Sequence, residues 1–351
     1  MPRFTPAALA LLLSAMLAQA NDTPMPTPTP APAIPRLTPP ELAISLTETV
    51  YLPAQVSLLE HHGRLAGRLA ALCEAPGSDK LAAAREAWIS ANRSWRRLDS
   101  VRMGPGRQEE VMQAFDPWPL DLAALRKSIA ATPADPTSPQ ALAEVRNQKQ
   151  GLPAIEFLLF GNATPTSAAL AAKQLDGNSC RFAVWIAAGL ARRAQEMVYE
   201  WQGMRRGLNY DLSYPRPFLS ESLTRVHAGV KELAGWKLAT SVAKAAQQDF
   251  PDWRSGQSRQ GIISGLDTVE HVLLGAAGGA GFEEFLLSRG KTEAVGELKT
   301  HLAQARIAVA GLPDDLAKAS AERRVAAQRL TALADYIAGP FAEAMGLPLQ
   351  K

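Results

Sequence analysis

Two glutamates stand in matching surroundings in this chain. The segment GLPAIEFLLFG (151–161) aligns without gaps with GLDTVEHVLLG (265–275), sharing the first Gly, the Leu, the Glu, one Leu and the last Gly. Glu156 and Glu270 are the equivalent acids. Ile155, Leu158, Leu159 and Phe160 are apolar, so Glu156 belongs to a helix that is largely buried. A carboxylate there needs a metal, an arginine or backbone donors. The plain alternative is a helix-end residue tied to an arginine, with no ligand at all. Pro153 suits the first position of a helix, where its missing N–H is no loss. In the second copy Ser264 and Asp267 stand three apart, as in a capping box. The match implies two similar helical units, each with a short helix opened by Gly-Leu and carrying a glutamate in its first turn.

A second constellation is Arg85, Trp88, Asn92, Trp95 and Asp99, which share one helix stripe at three- and four-residue steps. Two core tryptophans with snorkelling neighbours make this pattern. So does the wall of a polar pocket facing Glu156. FDPWPLD (115–121) is a Pro-rich loop that could close over such a pocket. Zinc-peptidase chemistry lacks its HExxH helix, and no GxSxG elbow occurs. His61 and His62 are adjacent and cannot share a helix face, so a surface position is expected for them. The glycine-rich stretch 275–281 follows a helix rather than a strand, which makes it a turn and not a phosphate cradle.

The elements that must position these residues are helices. Ala, Leu, Glu, Arg, Lys and Gln dominate, with apolar residues three and four apart, and strand alternation is scarce. Helices are predicted over 41–74, 79–103, 139–149, 153–161, 166–174, 179–206, 217–248, 258–275, 281–288, 291–310 and 313–345. Pro53 should kink or split the first. The irregular stretch 207–217 reads as the joint between two halves, 41–206 and 207–351.

Residues 1–20 read as a secretory signal: Arg3, an apolar run over 7–17, and the small-x-small pattern ending at Ala20. The run is shorter than the roughly 20 residues that span a bilayer. Residues 21–40, rich in Pro and Thr, read as an extended spacer. A periplasmic protein, cleaved after Ala20 and without a later membrane span, is expected. Cys73 and Cys180 are the only cysteines, and an oxidising compartment favours a disulfide between them. A net charge of only +3, without a long basic run, argues against nucleic acid as a partner.

RxAWxxAxxxWxRL in 85–98, FxPWPxD in 115–121, GLPAIEFLLFG and SCRF in 179–182 together resemble the imelysin-like family of exported bacterial proteins. The similarity covers 41–351. It implies an all-α protein of two four-helix-bundle-like domains related by duplication, with a site at their interface. It also implies a link to iron uptake or regulation. The founding member was described as a peptidase, whereas many relatives are regarded as binding proteins. The family motif is GxHxxE; Gly151 and Glu156 match it, but Pro153 occupies the histidine position and has no ligand atom. The reading is a non-enzymatic binding protein for a small solute, divalent metal or iron. Its site is expected to draw on Glu156, Glu270, Asp267, Arg85, Trp88 and Trp95, with Glu156 as the only metal ligand. Rival readings are an imelysin-type metallopeptidase and a module that docks an envelope protein.

Overall fold

The computed structural model describes residues 35–145, 150–161, 175, 177–211, 213–276, 278–347 and 349. The signal at 1–20, most of the spacer and the helix expected at 166–174 lie outside these residues. Among the described residues the secondary structure is helical throughout, with no strand.

Thr38 opens the first helix. Its backbone N–H donates to Glu41 Oε2 at 2.7 Å and its hydroxyl accepts from the Glu41 N–H at 3.4 Å, a reciprocal cap. Helix α1 (Pro39–Leu46) therefore begins inside the segment expected to be spacer. A π-turn, Thr47–Tyr51, leads directly into α2 (Leu52–Glu74). The π-turn is where Pro53 acts. Its ring would meet the carbonyl four residues back, and one extra residue in the preceding turn relieves the clash. The same device recurs near the C-terminus, where the π-turn Ile337–Phe341 contains Pro340.

The chain continues through α3 (Ser78–Asp99), α4 (Glu109–Phe115), α5 (Leu122–Ala130), α6 (Pro139–Glu144), α7 (Gly151–Phe160) and α8 (Gly177–Tyr210). Beyond these lie α9 (Pro215–Ala234), α10 (Ser258–Leu274), α11 (Phe282–Leu287), α12 (Thr292–Ala310), α13 (Ser320–Tyr336) and α14 (Ala342–Met345). Two predicted spans need correction, and two helices lie outside any predicted span. The helix expected over 217–248 stops at Ala234, because Gly235 breaks it and the chain turns through 3₁₀ segments instead. The helix expected over 313–345 starts only at Ser320. Helices α4 and α5 were not foreseen; Asp121 caps α5 by accepting from the N–H groups of Ala123 and Ala124 at 2.8 and 3.0 Å.

Two apolar cores form within Pro35–Lys351. One holds Leu58 to Leu72 of α2 with residues of α3 to α7 and the first half of α8, including Phe182 and Met197. The other holds α1 with Trp201 and Leu208 from the second half of α8, and α9 to α14. The α1–α2 rod and α8 pack on each other, and each contributes to both cores. By length and composition alone the 36-residue span Pro39–Glu74 would also cross a membrane. No such second segment was expected; its apolar residues are shared between the two cores.

Cys73 and Cys180 are disulfide-bonded, joining the end of α2 to the start of α8 with a Cα–Cα distance of 5.6 Å. The bridge closes a loop of 107 residues, for which chain entropy gives roughly 4–5 kcal/mol of stabilisation.

Candidate functional site

Arg96 is the centre of a buried charge network. It lies on α3, one turn past Asn92, and is 1% exposed. Two aspartates grip it from different elements. Asp116, just past α4, accepts from Nη1 and, at 3.1 Å, from Nη2. Asp252, in the loop before α10, accepts from Nε at 2.7 Å and from Nη2 at 2.6 Å. A third, Asp99, stands 3.8 Å from Nη1 and pairs with the buried Lys237. Arg102 adds 3.5 Å contact with Asp99 and a pair with Glu232. Burial pushes the Asp99 carboxyl up, but Lys237, Arg102 and Arg96 outweigh it and hold it below its usual range. At Asp116 burial wins over the pull of Arg96, and the carboxyl is raised. Asp252 holds its position in the left-handed region at φ 61°, which Asp tolerates better than most side chains.

Glu156 adjoins this network without sharing its cations. It is 1% exposed, and its Oε1 accepts from the Ser255 backbone N–H at 2.9 Å and the Ser255 hydroxyl at 2.8 Å. Burial, with Asp252 nearby, pushes its carboxyl up to about 7. Arg254 lies beside it, between the rings of Trp253 and Phe157 at 4.4 and 5.5 Å. Glu156 has no ion-pair partner among the described residues, whereas Asp99, Asp116 and Asp252 all have one.

Gly151 sets the approach of α7. Its φ is +46°, and a Cβ there would sit 2.2 Å from the Phe115 carbonyl oxygen. Only glycine lets α7 start against the end of α4 and so bring Glu156 and Asp116 to one place. Several buried polar atoms of α2, α3 and the start of α7 lack a partner among the described residues: His62 Nε2, Trp95 Nε1, Gln150 Oε1 and both amide atoms of Asn92. Phe115 connects two of these side chains, stacked on Trp95 at 4.5 Å and edge-on to His62 at 5.1 Å. Such atoms call for bound water or a ligand. His62 is fully buried. The surface position expected for it is therefore wrong: it faces the core in register with Leu58, Leu65 and Leu69, and its Nδ1–H donates to the Leu58 carbonyl at 2.9 Å.

The other residues singled out from sequence fall elsewhere. Asp267 and Glu270 share Arg306, whose Nη1 donates to Asp267 at 2.7 Å and whose Nε and Nη2 donate to Glu270 at 2.9 and 2.5 Å. This is the arginine-tied alternative, at half-buried positions on α10 and α12. Gly265 lies in the middle of α10, so Glu270 is not near a helix start and Ser264–Asp267 is not a cap. The end glycines do correspond: Gly161 and Gly275 both end their helices at positive φ. Arg85 sits at the far end of α7, its Nε donating to the Leu159 carbonyl at 2.9 Å and its guanidinium over Phe160. Trp88 is wholly buried and donates to the Leu152 carbonyl at 3.0 Å, fixing α3 to the start of α7.

Sequence reasoning missed Arg96, Asp116, Asp252, Lys237 and Ser255. One signal was there: FDPW (115–118) and FPDW (250–253) each place an aspartate between Phe and Trp, and both aspartates bind Arg96.

The metal site implied by GxHxxE does not fit these residues. Pro153 offers no donor atom, and Glu156 Oε1 is held by Ser255. The nearby aspartates are held by arginine and lysine. Among the described residues no group of three or more His, Cys, Asp or Glu is arranged to hold a metal ion.

A helical protein with two apolar cores joined by a buried arginine–carboxylate network is the class defined so far. The Imelysin family model matches residues 52–338, and the chain belongs to that family. Iron-regulated protein A of Synechococcus elongatus is 31% identical over 155 residues, which are 44% of this chain and 38% of that protein. The chain thus spans well under half the length of that relative. In fold it is similar to an imelysin-like protein from Psychrobacter arcticum 273-4 (TM-score 0.73, 20% identity, 89% of this chain and 97% of the other). It is also similar to a candidate iron-regulated protein A precursor from Parabacteroides distasonis (TM-score 0.70, 12% identity, 85% and 93%).

Proposed function

We propose that this is an exported, periplasmic binding protein of iron handling, non-enzymatic, whose ligand engages Glu156 between α3, α7 and the 252–258 loop. The observation that carries this reading is Glu156 itself. It is buried, lacks an ion-pair partner, and is poised near pH 7 between donor and acceptor states. The Trp95 indole and His62 imidazole nitrogens against Phe115, without a partner among the described residues, supply further polar contacts. Relatives named for iron regulation support the iron link. A hydrogen-bonding solute or a chelated iron species suits this donor set better than a bare cation, because the neighbouring carboxylates are already neutralised.

The test uses mature protein purified from periplasm, analysed for metals and titrated with ferrous iron and ferric citrate. Saturable binding of ferric citrate beyond that of iron-free citrate is expected, weakened at least tenfold by Glu156→Gln with an unchanged far-ultraviolet spectrum. Binding that survives the substitution undiminished, or none at all, overturns the reading. A protease assay with and without chelator addresses the peptidase alternative, and chelator-sensitive cleavage would establish it.

A further inference from the structure

Arg323 is a third buried cation besides Arg96 and Lys237, far from both in chain order. It lies in the first turn of α13 and is 5% exposed. Its hydrogen bonds run from Nη1 to the carbonyl oxygens of Leu238 and Ala239 at 2.8 and 3.3 Å, while Nε has no partner among the described residues. The guanidinium lies over the Phe250 ring at 5.2 Å. Among the described residues no carboxylate pairs with it. Asp249 acts on its charge without forming an ion pair, and arginine does not neutralise itself by losing a proton, so a buried guanidinium without a paired anion is costly.

The same residue lines an open cleft of about 580 Å³ between α13 and the chain that follows α9. Arg324, Ser320, Thr240, Gln328 and Thr331 also line it, all with hydrogen-bond donors. Its one acidic lining residue, Asp335, is eleven residues beyond Arg324 on α13, about 16 Å along the axis. Two cations therefore face one distant anion. The start of α13 adds to this: its N-cap is Ala319 and no side chain caps it, although Glu322 stands in its first turn outside the cleft lining. The first-turn N–H groups and the positive end of the helix dipole both favour an anion there.

We propose that this cleft is a binding site for a small organic oxyanion, a carboxylate or phosphomonoester, held by Arg323 and Arg324 at the start of α13. The cleft has the size of small-molecule sites, which run from roughly 300 to 1,000 Å³, and would leave inorganic phosphate loosely held. Both ligand sources present the planar or tetrahedral oxygens that a guanidinium recognises in bidentate fashion.

Calorimetric titration of the mature full chain with citrate, glycerol 3-phosphate and inorganic phosphate, at matched ionic strength, tests this. Saturable binding of citrate or glycerol 3-phosphate is expected, and which of the two binds tells carboxylate from phosphate. Arg324→Gln, at an exposed position that should fold normally, weakens it at least fivefold. Arg323→Lys keeps the charge but loses the fork, and weakens it further. Glu156→Gln leaves it unchanged, which separates this site from the one above. No saturable heat with the organic anions overturns the proposal. So does equal binding of phosphate and chloride, or binding that neither arginine substitution alters.

Discussion

Glu156 and His62 are both fully buried and titrate in opposite senses. Burial raises the Glu156 carboxyl to about 7 from an ordinary 4.5, so between these values the folded protein holds a proton that the unfolded chain releases. Stability from this group is present at low pH and is lost as pH rises through that window. Burial lowers the His62 imidazole to about 4 from 6.5, so there the unfolded chain binds the proton instead. Stability from His62 is present above pH 6.5 and is lost as pH falls towards 4. The two contributions oppose one another between pH 4.5 and 6.5. Glu156→Gln removes one of them. Urea unfolding of the variant across this range should show stability falling steadily with acid, while the wild type shows a flatter profile. Parallel profiles would mean that Glu156 does not titrate as its burial implies.

At the scale of elements, much was legible before any coordinates. The all-α class followed from composition, the Cys73–Cys180 pairing from the expectation of an oxidising compartment, and a break in the first helix from Pro53; that the break takes the form of a π-turn did not. Glu156 was found because a carboxylate among Ile155, Leu158 and Leu159 is conspicuous. Arg96 was not, because on a helix bearing Arg93, Arg96 and Arg97 only packing tells a buried arginine from solvated ones. The helix predicted over 258–275 already put the first glycine of GLDTVEHVLLG mid-helix, and only its alignment with GLPAIEFLLFG suggested a helix start there. The two glycines of the repeat have different duties and should respond differently to the same change. At Gly151 a methyl group would meet the Phe115 carbonyl at 2.2 Å from a backbone at positive φ. At Gly265 it would meet Leu233 and Ser100 side-chain atoms at 3.1 and 3.3 Å, which can give way. Thermal or urea unfolding should show Gly151→Ala losing at least about 3 kcal/mol and Gly265→Ala about 1 kcal/mol or less. Equal losses would contradict the close approach of α7 to α4.

For the whole molecule, the decisive question is what makes two cores one protein. Arg96 is one link: Asp116 follows Phe115 of the first core, and Asp252 follows Phe250 of the second by two residues. The other link is continuous helix, since the α1–α2 rod and α8 each run through both cores. Removing the cation separates the two. Arg96→Met leaves Asp116 and Asp252 buried without a counter-charge, a change that usually costs about 3–5 kcal/mol. Adding Asp116→Asn and Asp252→Asn to that variant should recover part of the loss, because the uncompensated charges go with them. The helices that cross between the cores remain intact in every case. Unfolding of Arg96→Met followed by far-ultraviolet dichroism and by tryptophan fluorescence should therefore shift to lower urea with the two probes still coincident. Trp88 and Trp95 report on the first core and Trp201 on the second. If the probes separate, the buried network rather than the shared helices is what couples the two cores.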